Sequence, residues 1–237
     1  MKVRTKIMLT FLFIVLSTSL YAQEETIETE TNGFTANIGA DVVSTYIWRG
    51  QKLDDLAVQP GISIGYKGFE LGAWGSTSLV GTGYKELDLS LSYTIGGFSA
   101  VFTDYWCGND SYNSFNYSDT TLHTFEFGLG YDFGFLSVSW YTNLWGAMGS
   151  KANGDDAYSS YFEVAAPFKL GDLEWQAAMG ITPWENDYYG AEKFALINIG
   201  LTATKKIEFE KFTLPLYAQL VANPTAKKMY LSFGVTF

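Results

Sequence analysis

Only one histidine, His123, is present, so any catalytic triad or imidazole ligand set would have to be built on it. Thr121 and Thr124 stand near it, but no Gly-x-Ser-x-Gly elbow exists to present a nucleophile. The single cysteine, Cys107, excludes an internal disulfide, and no Cys/His spacing suits zinc. No glycine-rich phosphate loop precedes a helical pattern. Asn153 to Asp156 (NGDD) lacks the ligand spacing of a calcium loop and reads as a solvated turn. The expectation is a non-enzyme without metal or other cofactor, with His123 a surface residue at a strand end. A rim hydrolase built on His123 is the distant alternative.

Charged residues carry more information. Asp41, Arg49, Glu86, Asp88, Asp104, Glu126, Glu163 and Glu174 lie on, or can be registered to, the polar face of alternating segments. These are the pore-lining candidates, and all but Arg49 are acids. Ionised groups on an enclosed face need either water or one another. A wet lumen so lined would favour cations, provided Arg49 and the loop lysines do not offset the acids. A plugged interior would instead hold them in a hydrogen-bonded network. Both readings stay open at this level.

The elements that would position these groups are strands. In Lys228 to Phe237, Met229, Leu231, Phe233, Val235 and Phe237 share one face; Lys228, Tyr230, Ser232, Gly234 and Thr236 share the other. A period of two is that of a strand with one apolar and one polar or small face. The same split places Ala195, Ile197, Ile199, Leu201 and Ala203 opposite Asn198, Gly200, Thr202 and Thr204. It recurs at 87–95, 125–133 and 173–181. Strands are expected at 34–49, 58–66, 69–79, 84–95, 98–107, 121–132, 135–146, 157–169, 172–182, 193–206, 211–222 and 227–237.

Loop lengths separate a barrel from a sandwich. Links after even-numbered strands are short, such as Lys67-Gly68, Gly96-Gly97, Gly134 and Gly171. Most links after odd-numbered strands are long and polar. Short turns at one end and long loops at the other is the layout of an outer-membrane barrel. The expected fold is therefore all-β: a single closed antiparallel transmembrane barrel of about 12 strands. Such a barrel has a backbone radius of roughly 12 Å, so any passage should be narrow. Tyr46, Trp48, Tyr105, Trp106, Tyr131, Phe133, Trp145, Trp184, Tyr188 and Tyr189 are expected in aromatic girdles at the strand ends.

The N-terminus reads as an export signal over 1–22. Lys2, Arg4 and Lys6 precede an apolar stretch from Ile7 to Leu20, and Leu20-Tyr21-Ala22 offers a cleavage site. That stretch is shorter than the roughly 20 residues a spanning helix needs. Residues 23–33 (QEETIETETNG) read as a flexible acidic periplasmic lead-in to a barrel over 34–237. The whole chain carries a formal charge of −10, and removing a signal with three bases and no acids makes the rest more negative still. That balance argues against nucleic acid. Tyr230, Phe233, Val235 and Phe237 on the last alternating strand are similar to the terminal signal read by barrel-insertion machinery.

Asp41-Val42-Val43-Ser44-Thr45-Tyr46-Ile47-Trp48-Arg49-Gly50, followed by Gln59-Pro60, resembles the opening of the TorF-like family of outer-membrane porins. Gly72-Ala73-Trp74-Gly75-Ser76, Tyr84-Lys85-Glu86-Leu87-Asp88 and Asp104-Tyr105 continue the resemblance. Phe127-Gly128-Leu129-Gly130-Tyr131 is similar to the family's middle strands, while later segments share only general barrel patterning. The resemblance implies a channel-like protein with no assigned substrate and no catalytic residues to carry over. The expected function is a porin-like channel for ions or small solutes in the outer membrane of a Gram-negative bacterium. Its partners would be lipid, the insertion machinery and the solute. The alternative is a non-conducting surface or scaffold protein that binds ligands or partners through its loops.

Overall fold

The computed structural model describes residues 33–81, 83–108, 115–118 and 121–237. The expected signal at 1–22 and all of the lead-in except Gly33 lie outside the described residues. The strands are β1 (Phe34–Val43), β2 (Tyr46–Trp48), β3 (Gln51–Asp54), β4 (Ala57–Tyr66), β5 (Phe69–Ser78), β6 (Lys85–Ile95) and β7 (Phe98–Gly108). They continue as β8 (His123–Asp132), β9 (Ser137–Gly146), β10 (Ser160–Leu170), β11 (Leu173–Thr182), β12 (Ala195–Glu208), β13 (Thr213–Asn223) and β14 (Lys228–Thr236). Twelve of them, β1 and β4 to β14, form one closed antiparallel barrel, and β2–β3 make a separate two-stranded sheet.

Alternation places the apolar residues outside. Ile38, Ile62, Leu71, Leu91, Met179, Leu231 and Phe233 are all exposed on the exterior. Met229 and Phe237 are exposed with them, whereas Tyr230 sits on the opposite, inward face of β14. Inside, large rings lie over glycines of the neighbouring strand. A Cβ on Gly128 would fall 2.4 Å from Tyr141, one on Gly180 2.0 Å from Tyr161, and one on Gly234 2.1 Å from Tyr217. The glycines let these tyrosines lie flat against the wall, a packing device that fills a small barrel without straining its curvature.

The barrel closes where β1 meets β14, at Asp41↔Thr236, Val42↔Val235 and Val43↔Gly234. Reciprocal bonds between Ala40 and Phe237 extend this seam at one end, and Ser44 extends it at the other by pairing with Phe233. β1 runs much further along its other neighbour, from Phe34↔Tyr66 to Val43↔Ala57.

Three expectations are corrected. The first strand, expected over 34–49, ends at Val43, and the chain then turns into the β2–β3 hairpin. Ile197, expected outside, is fully buried, because a bulge pairs Gly180 with Asn198 and Ile181 with Leu196 and skips it. Tyr46, Trp48, Tyr105 and Tyr189, expected in girdles, are interior residues, and Trp106 is buried too. Tyr131, Phe133, Trp145 and Trp184 do remain exposed. The other expected strands match to within three residues at each end.

The seat of Tyr217 gives a matched test. Gly234→Ala should lower barrel stability by about 1–3 kcal/mol through overpacking. Gly200→Ala, whose new Cβ would have 3.8 Å to its nearest neighbours, should be close to neutral. Urea midpoints of both variants refolded in detergent would check the contrast.

Candidate functional site

The interior is dominated by the hairpin Tyr46–Asp54. Its two-residue loop, Arg49-Gly50, has φ of 46° and 79°, and Trp48 pairs with Gln51 across it. Positive φ at both central residues defines a type I′ hairpin turn, which normally takes Asn-Gly or Gly-Gly. An arginine there holds a strained left-handed backbone, at a cost of order 1–3 kcal/mol, that surrounding contacts must hold in place. Gly50 has no substitute: a Cβ would lie 1.8 Å from the Ile197 carbonyl oxygen.

This hairpin reaches across the barrel. Near the seam, the Ser232 hydroxyl donates to the Thr45 carbonyl at 2.7 Å, and the Asn223 amide donates to the Gly50 carbonyl at 3.0 Å. Tyr46 packs on Trp74 of β5 and on Tyr84. Trp48 meets Tyr105 of β7, and Tyr188 and Tyr189 of the 183–194 loop. That loop therefore folds inward as well.

At the tip, the Arg49 guanidinium forks onto Glu126 of β8. Nη1 donates to Oε2 at 2.6 Å and Nη2 to Oε1 at 2.9 Å. Nη1 also donates to the Tyr189 hydroxyl oxygen at 2.6 Å. The guanidinium carbon lies 4.4 Å from the Trp48 ring centre, 4.4 Å from Tyr141 and 4.7 Å from Tyr161. The Tyr105 hydroxyl donates to Glu126 Oε1 at 3.1 Å. The Arg49 and Glu126 side chains are only 3% and 1% exposed. A planar fork on a carboxylate under aromatic faces uses the two contacts in which arginine most differs from lysine. Burial raises the Tyr189 phenol above its ordinary range, with Arg49 pulling the other way, so the ring stays neutral.

The remaining sequence candidates divide by place. Glu86 and Asp88 face inward on β6; Glu86 accepts a bond from the Tyr84 hydroxyl at 2.8 Å and sits opposite Cys107. Glu163, on β10, accepts from the Tyr161 hydroxyl and from Asn198 at 3.3 Å. Asp41 pairs across the ladder with Gln59 and Thr236. Glu174 sits near the short-turn end of β11, bridged to Lys206 at 3.0 Å and Lys169 at 3.7 Å.

Asp104 is not among the lumen-facing acids. Tyr105 points inward to Glu126, so strand alternation turns Asp104 to the outer face, across from Leu89 and Phe125. There it bonds His123 Nδ1 at 2.6 Å and accepts from the Tyr117 hydroxyl at 3.0 Å, with Tyr117 stacked on the imidazole. The Tyr117 phenol is held above its ordinary range by desolvation first and then by the hydrogen bond to Asp104.

Two interior acids went unrecognised in the sequence. Glu70 is buried on β5, and its signal was the apolar pair Phe69 and Leu71 on either side. Inward Trp74 and outward Ala73 blurred that alternation further along. Asp54, also buried, arrives on the hairpin, which no strand pattern would place inside.

A protein-family model described as a bacterial protein of unknown function (Gcw_chp) matches residues 27–217. This chain belongs to that family. The Gcw_chp match runs from the acidic lead-in into β13 and brings no assigned activity. No curated protein matches the chain. One similar solved structure is described as "NanC porin structure in rhombohedral crystal form". It is 11% identical, covers 84% of this chain and 96% of its own, and has a TM-score of 0.43, too distant to speak for function. The resemblance to the TorF-like porins gains no support from these matches.

The buried ion pair of this Gcw_chp barrel should behave as a unit. Arg49→Met or Glu126→Leu alone leaves one buried charge unpaired and should cost about 3–5 kcal/mol. The double variant should cost less than either single one. Urea unfolding of the four forms in detergent gives the coupling.

Proposed function

We propose that this chain is an outer-membrane channel of a Gram-negative bacterium, passing ions or small solutes through a lumen narrowed by its inward hairpin. The observation that carries the reading is the sorting of side chains about a closed sheet. An exterior of exposed Ile, Leu, Met and Phe is costly in water but suited to acyl chains. Closure supplies the pairing that lipid cannot, since unsatisfied backbone groups in a bilayer cost several kcal/mol each. Among the described residues no helix is long and apolar enough to cross a membrane. The export-like start and the terminal alternating aromatics fit the same route through the periplasm to the insertion machinery.

A mild cation preference follows from which acids are neutralised. Arg49 answers Glu126, and Lys206 answers Glu174. Glu86 and Asp88 stand together on β6 with only the uncharged Ser76, Trp74, Tyr105 and Cys107 opposite, so they would set the sign of the lumen field.

The bar that the hairpin makes across the lumen favours a second reading, a non-conducting barrel whose long loops meet ligands or partners. Two recordings in planar bilayers separate them. Replacing residues 45–55 by a short Gly-Ser linker should raise unit conductance above that of the intact protein. In that open form, Glu86→Gln with Asp88→Asn should move the reversal potential toward zero under a potassium chloride gradient. Silence in both the intact and the hairpin-less barrel would leave the surface-protein reading standing.

A further inference from the structure

We infer that the inner wall formed by β7 to β10 is a receptor for a guanidinium-bearing cation, and that Arg49 occupies it as an internal stand-in. This rests on the channel reading only for the route by which a solute would arrive.

The receptor is built mostly without its present occupant. Glu126, Tyr105, Tyr141 and Tyr161 come from four successive wall strands. Their positions are fixed from the wall side. Tyr141 lies on Gly128 and Tyr161 on Gly180, where no side chain intrudes. Tyr105 donates to Glu126, while the Tyr161 hydroxyl donates to Glu163 and accepts from Asn198 at 2.9 Å. Taking Arg49 away would therefore leave a carboxylate flanked by two flat rings, the complement of a planar cation.

A second observation points to a ligand at the same place. Asn143 lies directly opposite Glu126 across the β8–β9 ladder and is 0% exposed. Neither its amide nitrogen nor its oxygen has a hydrogen-bond partner among the described residues. Buried polar atoms are almost always satisfied, so an unused amide beside the carboxylate is donor and acceptor capacity that Arg49 does not employ. A solute carrying a guanidinium and a further polar group could employ both.

The occupant itself is ill suited to its backbone. Arg49 sits in a left-handed turn position that favours Asn or Gly, so what the position selects is the side chain's charge and shape. A free guanidinium reproduces those contacts without the turn strain. Displacing the Arg49 side chain would still leave the hairpin backbone held by Ser232, by Asn223 on the Gly50 carbonyl and by the Tyr46–Trp74 contact, so exchange frees the side chain before the bar.

Methylguanidinium chloride is the probe, with urea and methylammonium as the neutral and non-planar controls. In calorimetry of Arg49→Ala refolded in detergent, methylguanidinium should bind saturably, about tenfold more tightly than methylammonium, with no binding by urea. The double variant Arg49→Ala/Glu126→Gln should lose it. No saturable heat in Arg49→Ala, or heat unchanged in the double variant, overturns the inference. If Arg49→Ala does not refold, Arg49→Lys takes its place, since an ammonium cannot fork onto Glu126 and should yield to the probe. No saturable heat there overturns it equally. Bilayer currents through the same variant separate the two claims. Binding with silence in both this variant and the hairpin-less barrel keeps the receptor and removes the channel; conductance without binding does the reverse.

Discussion

Ring closure is the constraint on which the rest depends. Each barrel strand finds an antiparallel neighbour on both sides, and the last link is the short seam of β1 against β14. Because the ring closes, side chains divide into two populations, with Asp104 on the outer face and bulge-turned Ile197 inside as exceptions. The outer one is apolar, and the inner one combines acids, small residues and tyrosines. No comparable division would arise in an open sheet, which could bury one face on another layer and leave its edges to water.

Inside that ring, one buried ion pair organises the contents. Arg49 without Glu126, or Glu126 without Arg49, would be a costly unpaired charge there. The rings of Trp48, Tyr141 and Tyr161 around the guanidinium turn a costly charge into a specific attachment. The hairpin is thus held to the far wall by its tip and to the seam by its base. An interior that could have been an open tube becomes a divided one, and the division depends on a residue placed in an unfavourable backbone state.

Several features of this arrangement were legible in the chain beforehand. Strand positions, strand number and the sorting of short turns from long loops all follow from local periodicity, which needs no knowledge of what lies opposite. Glu86, Asp88, Glu126 and Glu163 were assignable to the inner face because unbroken alternation surrounds them. Asp104 was misassigned because Tyr105 and Trp106 are both large and aromatic, so pattern alone could not say which of them points in. Ile197 failed for a related reason: a bulge shifts the side-chain parity, and nothing in an alternating string marks where an extra residue is absorbed.

The sequence by itself determined the barrel, because a two-residue period and loop lengths are local properties of the chain. It could not determine that Tyr46 to Asp54 leave the wall and cross the lumen. Tyr46 to Arg49 read as the end of the first strand and the residues after them as a loop; what sets them apart is side-chain partners across the ring, as Arg49 has in Glu126. Contacts of that kind exist only once the sheet has curled into a ring and brought β8, β9 and β10 to face the hairpin. The tertiary structure therefore decided whether the charged interior was an empty lining or an occupied site.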